Sequence, residues 1–397
     1  MLLQTLKGFR DFLPTEARRR QFVISTLKKV FESYGFEPLE TPSLEYEAIL
    51  AGKYGEEGDK LMYKFTDNGK RKVALRYDQT VPLSRVVAQR QNDLPTPFKR
   101  YQIQNVWRAE NTQKGRFREF LQCDIDIAGS ASSFADAEIL AIISDSYQAL
   151  GFKNFKILVN DRSVFSGLPM QAVISIDKLK KIGKEAVEKE LKDLGIDAKA
   201  LDQLLDSSPT PALAKILDAA EKLGVPKSII QFEPTLARGL DYYTGIIIEV
   251  EIEGYLVGSV GGGGRYDNLI GMFAKRQIPS VGFAFGFDRT MEAMEEKKLF
   301  SKDNATAKVL VTLFSPELAD ESIALAYELR ALGIPTELFL DENTKMDRQL
   351  KYADQKNIPF VATIGPDEKK DDKISLKDMA TKEQKQVTLK ALLEILQ

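Results

Sequence analysis

Residues 120–127, FLQCDIDI, alternate in character without a break. In a strand, successive side chains point to opposite faces, so Leu121, Cys123, Ile125 and Ile127 share one face while Phe120, Gln122, Asp124 and Asp126 share the other. The apolar face demands a core beneath it. The other face, with an aromatic ring, an amide and two carboxylates, reads in one of two ways. It is the water-facing side of an antiparallel sheet, or it is a sheet surface used as the floor of a polar pocket. A second strand, Tyr101–Val106, precedes it, joined by the polar segment RAENTQKGRFRE.

Periodicity sketches the rest. Helical spacing runs over residues 15–35, where Phe22, Ile24, Leu27, Val30 and Phe31 form a stripe, Thr15 stands as N-cap and Gly35 as the stop. Met62–Arg76 is expected to be a hairpin turning at Asp67-Asn68-Gly69, and 135–150 an apolar helix ending at Gly151. From 170 to 230 charged amphipathic helices flank Ser207-Ser208-Pro209-Thr210-Pro211, which reads as a helical module inserted into a β-rich pattern. Strands resume as a hairpin of 246–253 and 255–260 across Glu253-Gly254. The run GGGGRYD follows, and then VGFAFGFDRTMEAMEEK, a buried strand entering a helix. After Lys302-Asp303-Asn304 the order becomes β-α-β-α-β-α, a small domain of mainly parallel strands on helices.

A chain of 397 residues exceeds what one core usually holds, so two or three domains are expected. No apolar run reaches the roughly eighteen residues of a membrane helix, MLLQTLKGFRDFLP lacks the features of a secretory signal, and the single cysteine, Cys123, fits a reducing compartment. The expectation is a cytoplasmic protein with no membrane association. There is no histidine at all. That removes the commonest general base and metal ligand, and with them His-based nucleophilic triads and the usual structural zinc sites. Carboxylates, arginines, lysines, tyrosines and backbone amides remain, a set suited to chemistry done by alignment and electrostatics, such as phosphoryl and nucleotidyl transfer.

Several segments carry suitable groups. Arg108, Arg116 and Arg118, with Glu110 and Glu119, form either a salt-bridged hairpin or a set of forks for phosphate, with Phe120 able to stack on a base. Arg289 beside Asp288 is a helix-start ion pair or a further phosphate ligand. Asp78 and Thr80 form a turn and cap or hold an ammonium group. GGGGRYD is a flexible hairpin exit or a place where backbone approaches a ligand, with Arg265 and Tyr266 at its edge.

Together these segments resemble the histidyl-tRNA synthetases, which are class II aminoacyl-tRNA synthetases, over nearly the whole chain. KGFRDFLP resembles the N-terminal signature, FEPLETPSLE motif 1, VWRAENTQKGRFREFLQCDIDIAG motif 2 and VGFAFGFDRTMEAM motif 3. LARGLDYYTG and GGGGRYDNL resemble the two histidine-specific motifs, and KMDRQLKYADQKNIPFVATIG the anticodon-binding domain. The resemblance implies a mixed α/β (α+β) fold. Its catalytic core is a class II synthetase-like antiparallel sheet in two parts, 1–168 and 231–302. A helical insertion over 169–230 faces the acceptor arm, and a C-terminal α/β anticodon-binding domain spans 305–397. It implies activation of histidine by ATP, with Mg2+, to histidyl-adenylate, and transfer to the 3′ end of tRNA(His) by a homodimer with Pro42 at its interface.

By position, the resemblance places Arg108, Glu110, Arg116, Phe120 and Arg289 on ATP. It places Asp78, Thr80 and Gln122 on the α-amino group, and Asp126, Tyr243 and Tyr266 around the imidazole. Arg238 bridges the substrate carboxylate and the α-phosphate, so Arg238 and Arg108 are the expected catalytic pair; Gly239 leaves room beside the backbone, and Asp241 and Tyr242 orient Arg238 and pack the strand. Ala109 and Leu121 stand where many relatives carry larger polar or aromatic residues, often histidine. Either a regulatory economy, making the enzyme when charged histidyl-tRNA is scarce, or an engineered sequence accounts for a histidine-free chain. Two rival readings are a regulatory paralogue resembling the synthetase-like subunit of ATP phosphoribosyltransferase and a general RNA-binding protein. The first typically lacks the C-terminal domain and loses the arginines that this chain keeps.

Overall fold

The alternation at 120–127 is realised in an eight-stranded sheet. In this computed structural model, residues 3–53, 55–113, 115–197, 199–237, 242–300 and 305–396 are described. Across the sheet run Glu37–Pro38, Phe98–Trp107, Glu119–Ala128, Ser280–Phe285, Gly261–Arg265, Ile246–Ile252, Phe155–Asp161 and Ile230–Phe232. The six central strands pair antiparallel, and a short strand lies parallel at each edge. The sheet belongs to the first of two compact units, Met1–Phe12 with Arg20–Phe300; the second is Leu13–Arg19 with Ser301–Gln397. Among the described residues no helix is long and apolar enough to cross a membrane.

The dry face carries Leu121, Cys123, Ile125 and Ile127 together with Phe283 and Phe285, and packs on helices Pro14–Ser33 and Ser133–Ala149. In the first of these helices Val23, Leu27 and Phe31 are buried, while Phe22, expected in the same stripe, is half exposed. The helix begins at Pro14, so Thr15 lies inside it and is not the N-cap. Proline needs no amide partner at a first position, and its fixed φ suits the helix. Gly35, at φ +74, ends the helix as expected, with the Phe36 amide donating back to Phe31 at 3.1 Å. The Met62–Arg76 hairpin forms from Lys64–Thr66 and Lys72–Leu75, but Lys70 rather than Gly69 takes the left-handed turn conformation.

Two strand expectations are corrected. The partner of Ile246–Ile252 is Gly261–Arg265, not residues 255–260, which form the connection. The glycine run is therefore an interior strand and not a loose hairpin exit: backbone amides pair whatever side chain they carry, whereas the valine- and tyrosine-bearing 255–260 runs as a connection until Val260, whose amide donates to the Val250 carbonyl at 2.8 Å. The helical segment also divides. Helix Pro211–Lys222 packs into the principal core through Leu213 and Ile216, while helices between Met170 and Leu205 form their own cluster against Leu158 and Ile247.

In the second unit, Thr336–Leu338, Val309–Val311 and Phe360–Thr363 are parallel neighbours, as the pattern implied. The β-α-β-α-β-α order is incomplete, however: an antiparallel pair, Ile374–Asp378 and Gln384–Val387, extends the sheet before the last helix, Leu389–Leu396. Its outer strand, QKQV, is largely exposed and carries no apolar alternation to read.

Candidate active site

The polar face of the sheet is furnished by register. Asp126 lies between Arg100 and Gly282, and Asp124 between Gln102 and Ala284, with Gly264 and Gly262 one strand further. Small residues thus stand beside large polar ones. A Cβ on Gly264 would approach the Tyr243 ring to 2.8 Å, and one on Gly282 would approach Asp126 Oδ1 to 2.0 Å. The absence of side chains on two strands is what leaves the face hollow.

Two cavities occupy it. One, of about 310 Å³, is lined by Arg108, Glu110, Arg116, Phe120 and Arg289 among others. The second, of about 330 Å³, is lined by Asp78, Thr80, Gln122, Asp126, Tyr243 and Tyr266 among others. Arg108, Gln122, Gly262 and Ala284 border both. The five residues expected on ATP therefore share one cavity, and six expected on the amino acid share the other. Arg238, Gly239 and Asp241 lie outside the described residues.

The first cavity is cationic and aromatic. The Arg108 guanidinium lies over the rings of Tyr77 (4.4 Å) and Phe120 (5.2 Å), and its Nε donates to the Tyr77 carbonyl. Arg116 faces Glu110 at 3.7 Å, and Arg289 Nη1 donates to the Ser259 carbonyl at 2.8 Å. Asp288, next to Arg289, is taken by two arginines of the N-terminal segment, Arg10 at 2.9 Å and Arg20 at 3.0 Å. Arg10 also covers the Phe117 ring, and the Gly8 carbonyl accepts from the Arg118 amide, so KGFRDFLP braces the loop that carries the arginines.

The second cavity is acidic and phenolic. Tyr266 donates to Asp126 Oδ1, and fully buried Arg100 pairs with Asp126 Oδ2 at 2.6 Å. Burial pushes the Asp126 carboxyl up to about 6, against the pull of Arg100 and the Tyr266 hydrogen bond, and Asp78 adds to the rise. Asp124 is raised well above the carboxylate range, first by burial; its Oδ2 accepts from Gln122 Nε2 at 2.8 Å. Tyr242 meets the rings of Tyr243 and Tyr266, at centroid distances of 4.9 and 6.0 Å. Asp78 does cap a helix, its Oδ1 accepting from the Val81 amide at 3.2 Å, and it also borders the cavity.

Arg265 departs from its expected place. It turns away from the cavity and grips Asp136 with two hydrogen bonds of 2.9 and 2.8 Å, anchoring the strand end from which Tyr266 projects. Arg100 and Gln79, whose amide donates to the carbonyls of Gln104 and Gln122, escaped sequence reasoning. The strand starts at Phe98, three residues earlier than expected, and Arg100 enters the site only through that extension. Of the departures, Leu121 is core and Ala109 acts through its amide, which donates to the Leu61 carbonyl. Pro42 borders a separate surface hollow with Tyr46 and Arg85. Among the described residues no group of three metal-ligating side chains forms a cage. A magnesium ion that arrives on nucleotide phosphates needs only one or two protein carboxylates, and the first cavity has Glu110 and Asp288 in its lining.

The sequence matches the family described as Histidyl-tRNA synthetase over residues 8–207 and 183–290, and the family described as Anticodon binding domain over 308–397. It is 40% identical to a histidine–tRNA ligase of Cytophaga hutchinsonii, with 96% of each chain covered. The fold superposes on the crystal structure of histidyl-tRNA synthetase from Nostoc with a TM-score of 0.89 at 29% identity, covering 100% of this chain and 99% of that one. A Bacillus halodurans structure described as an ATP phosphoribosyltransferase regulatory subunit/histidyl-tRNA synthetase gives 0.75 at 23% identity, covering 88% and 96%, a likeness of fold alone.

Proposed function

Since the chain belongs to the histidyl-tRNA synthetase family, we propose that it is a histidine–tRNA ligase, which joins histidine to ATP as histidyl-adenylate and passes it to tRNA(His) as a cytoplasmic homodimer. One observation carries the reading: Arg108 borders both an arginine- and aromatic-lined cavity and an acidic, phenolic one.

In the first step an oxygen of the histidine carboxylate bonds to the α-phosphorus and pyrophosphate leaves. The attacking group is already an anion, so no strong base is needed; alignment and stabilisation of the developing charge are. Arg108 takes the α-phosphate and Arg238 bridges it to the substrate carboxylate, each through its planar fork of donors. Arg116 and Arg289 hold the outer phosphates, Phe120 stacks on adenine and Glu110 lies by its amino edge. Magnesium carried on the ATP phosphates would neutralise part of their charge. Asp78, Thr80 and Gln122 hold the α-ammonium group. Asp126 accepts from one imidazole N–H, and the phenols of Tyr243 and Tyr266 complete the ring site. Such a pocket rejects apolar isosteres because its polar groups would be left unpaired. Residues 1–168 and 231–302 form the catalytic core, 169–230 meets the acceptor arm, 305–397 reads the anticodon region, and Pro42 lies in the dimer contact.

The test is histidine-dependent ATP–pyrophosphate exchange followed by charging of tRNA. Exchange and charging are expected, with exchange abolished in Arg238→Ala while the dimer persists. A folded, ATP-binding protein without exchange would sink the reading in favour of the regulatory paralogue.

A further inference from the structure

On the polar face of the sheet, beside Asp126, stands a charged side chain that the mechanism above does not use. Arg100 lines neither cavity, is completely buried, and stands directly across from Asp126 in the strand register. Its Nη2 is 2.6 Å from Asp126 Oδ2, while Oδ1 receives the Tyr266 hydroxyl. Oδ1 is also the oxygen that overlies Gly282, in the floor of the acidic cavity. The two oxygens are thereby divided. Oδ2 is committed to the guanidinium, and Oδ1 keeps a second lone pair for a ligand. Arg100 is itself braced: Nη1 donates to Gln102 Oε1 at 3.3 Å, and Gln102 Nε2 donates to Thr41 Oγ1 at 2.8 Å and Gln104 Oε1 at 2.6 Å.

We propose that Arg100 is a positioning residue that sets histidine specificity, holding Asp126 as a carboxylate with Oδ1 aimed at the ring N–H. The inference rests on the reading of Asp126 as the imidazole acceptor. Asp126 is faced by Arg100 from strand Phe98–Trp107, Asp124 from its own strand, Tyr266 from the end of the glycine strand, and Asp78 from the start of helix Thr80–Gln89. Of these only Arg100 is cationic, and burial together with Asp78 favours the neutral acid. A neutral Asp126 forfeits the charge-assisted bond to the ring, which is roughly twice as strong as a neutral one.

Pyrophosphate exchange measured between about pH 5.5 and 8.5, with KM for histidine and for ATP determined separately, tests this in Arg100→Met, Arg100→Lys, Asp126→Asn and the double variant Arg100→Met/Asp126→Asn. The substrate ring titrates in the same window and is common to all variants, so only differences between them are read. Arg100→Met is expected to raise KM for histidine about tenfold at pH 7 and move the acid limb up by about one unit, with KM for ATP unchanged. Lysine restores much of the loss by keeping the charge. In the Asp126→Asn background the Arg100 substitution changes KM for histidine by no more than about twofold, because it acts through Asp126. If Arg100→Met fails to fold, the lysine variant and the double variant, which removes both buried charges, decide the matter. In that event a double variant that keeps discrimination against thiazolylalanine, or a lysine variant whose acid limb moves downward, overturns the proposal. An unmoved acid limb with additive effects overturns the role of Arg100 alone. An unaltered KM for histidine in Asp126→Asn overturns the reading of the ring site as well.

Discussion

An alanine at 282 is the smallest change that reaches the acidic cavity proposed to take the imidazole ring. Its Cβ would lie 2.0 Å from Asp126 Oδ1, 2.6 Å from Asp126 Cγ and 2.8 Å from the Ile125 carbonyl oxygen, where ordinary contact begins at 3.4 Å. The carbonyl belongs to a strand paired on both sides and has nowhere to retreat. The carboxylate is tied by Arg100 and Tyr266, so it yields only by breaking the Tyr266 bond. Overpacking costs about 1–3 kcal/mol, and loss of a hydrogen bond to a charged group about 1.5–3 kcal/mol. Gly282→Ala should therefore lower the urea midpoint and raise KM for histidine by about ten- to a hundredfold, since each 1.4 kcal/mol or so is tenfold. KM for ATP should stay as it is, because Gly282 lines the acidic cavity and not its neighbour. Pyrophosphate exchange at varied histidine, then at varied ATP, separates the two. A folded variant with unchanged KM for histidine would refute the placement of Asp126 at the ring.

Phe120→Ala should show the opposite split, raising KM for ATP by about five- to a hundredfold if a base stacks there for about 1–3 kcal/mol, with histidine unaffected; equal effects on both would argue against stacking. Arg265→Ala leaves the Asp136 carboxylate buried without its two hydrogen bonds, and should cost about 3–5 kcal/mol in urea unfolding; a loss within experimental error would mean the pair is dispensable. Burial raises the Asp124 carboxyl, outweighing the opposing pull of Arg100. The folded state then holds that proton more tightly than the unfolded one, so the contribution is full below the ordinary carboxyl range and is lost as pH rises through the raised value. The stability of Asp124→Asn relative to the unsubstituted protein should accordingly grow with pH, and a gap that narrows between acid and alkaline unfolding curves contradicts it. Cys123 is fully buried and its thiol is pushed up by burial; maleimide labelling should occur only on the unfolding timescale, and rapid labelling of native protein would place it elsewhere.

Several features were legible because their cause is local. The period of two over 120–127 separated a dry face from a polar one, and both faces have the residues it assigned. The helix ending at Gly35 and the buried strand entering helix Phe287–Glu296 follow from spacing and stop signals in short windows. The joint order of motifs identified the family, and that identification also named eleven side chains that line the two cavities. What stayed illegible had non-local causes. A run of four glycines has no propensity for a strand, and only the neighbours Ile246–Ile252 and Ser280–Phe285 make it one. The outer strand of the hairpin over 374–387 is exposed and lacks the alternation that a buried face imposes, although Ile374 and Leu376 of its inner strand reach the core.

The sequence by itself determined which residues share a face, where glycine must end a helix, which chemistry a histidine-free chain can perform, and the family to which the chain belongs. Tertiary structure decided which groups meet. It set Arg100 against Asp126 and turned Arg265 from the ligand edge onto Asp136. It also hollowed the polar face by bringing Gly264 and Gly282 beside Tyr243 and Asp126. The division has one physical reason. Side-chain direction along an element is fixed by the backbone period of that element, whereas the partner of a buried charge is fixed by strand register, which depends on chains many residues apart.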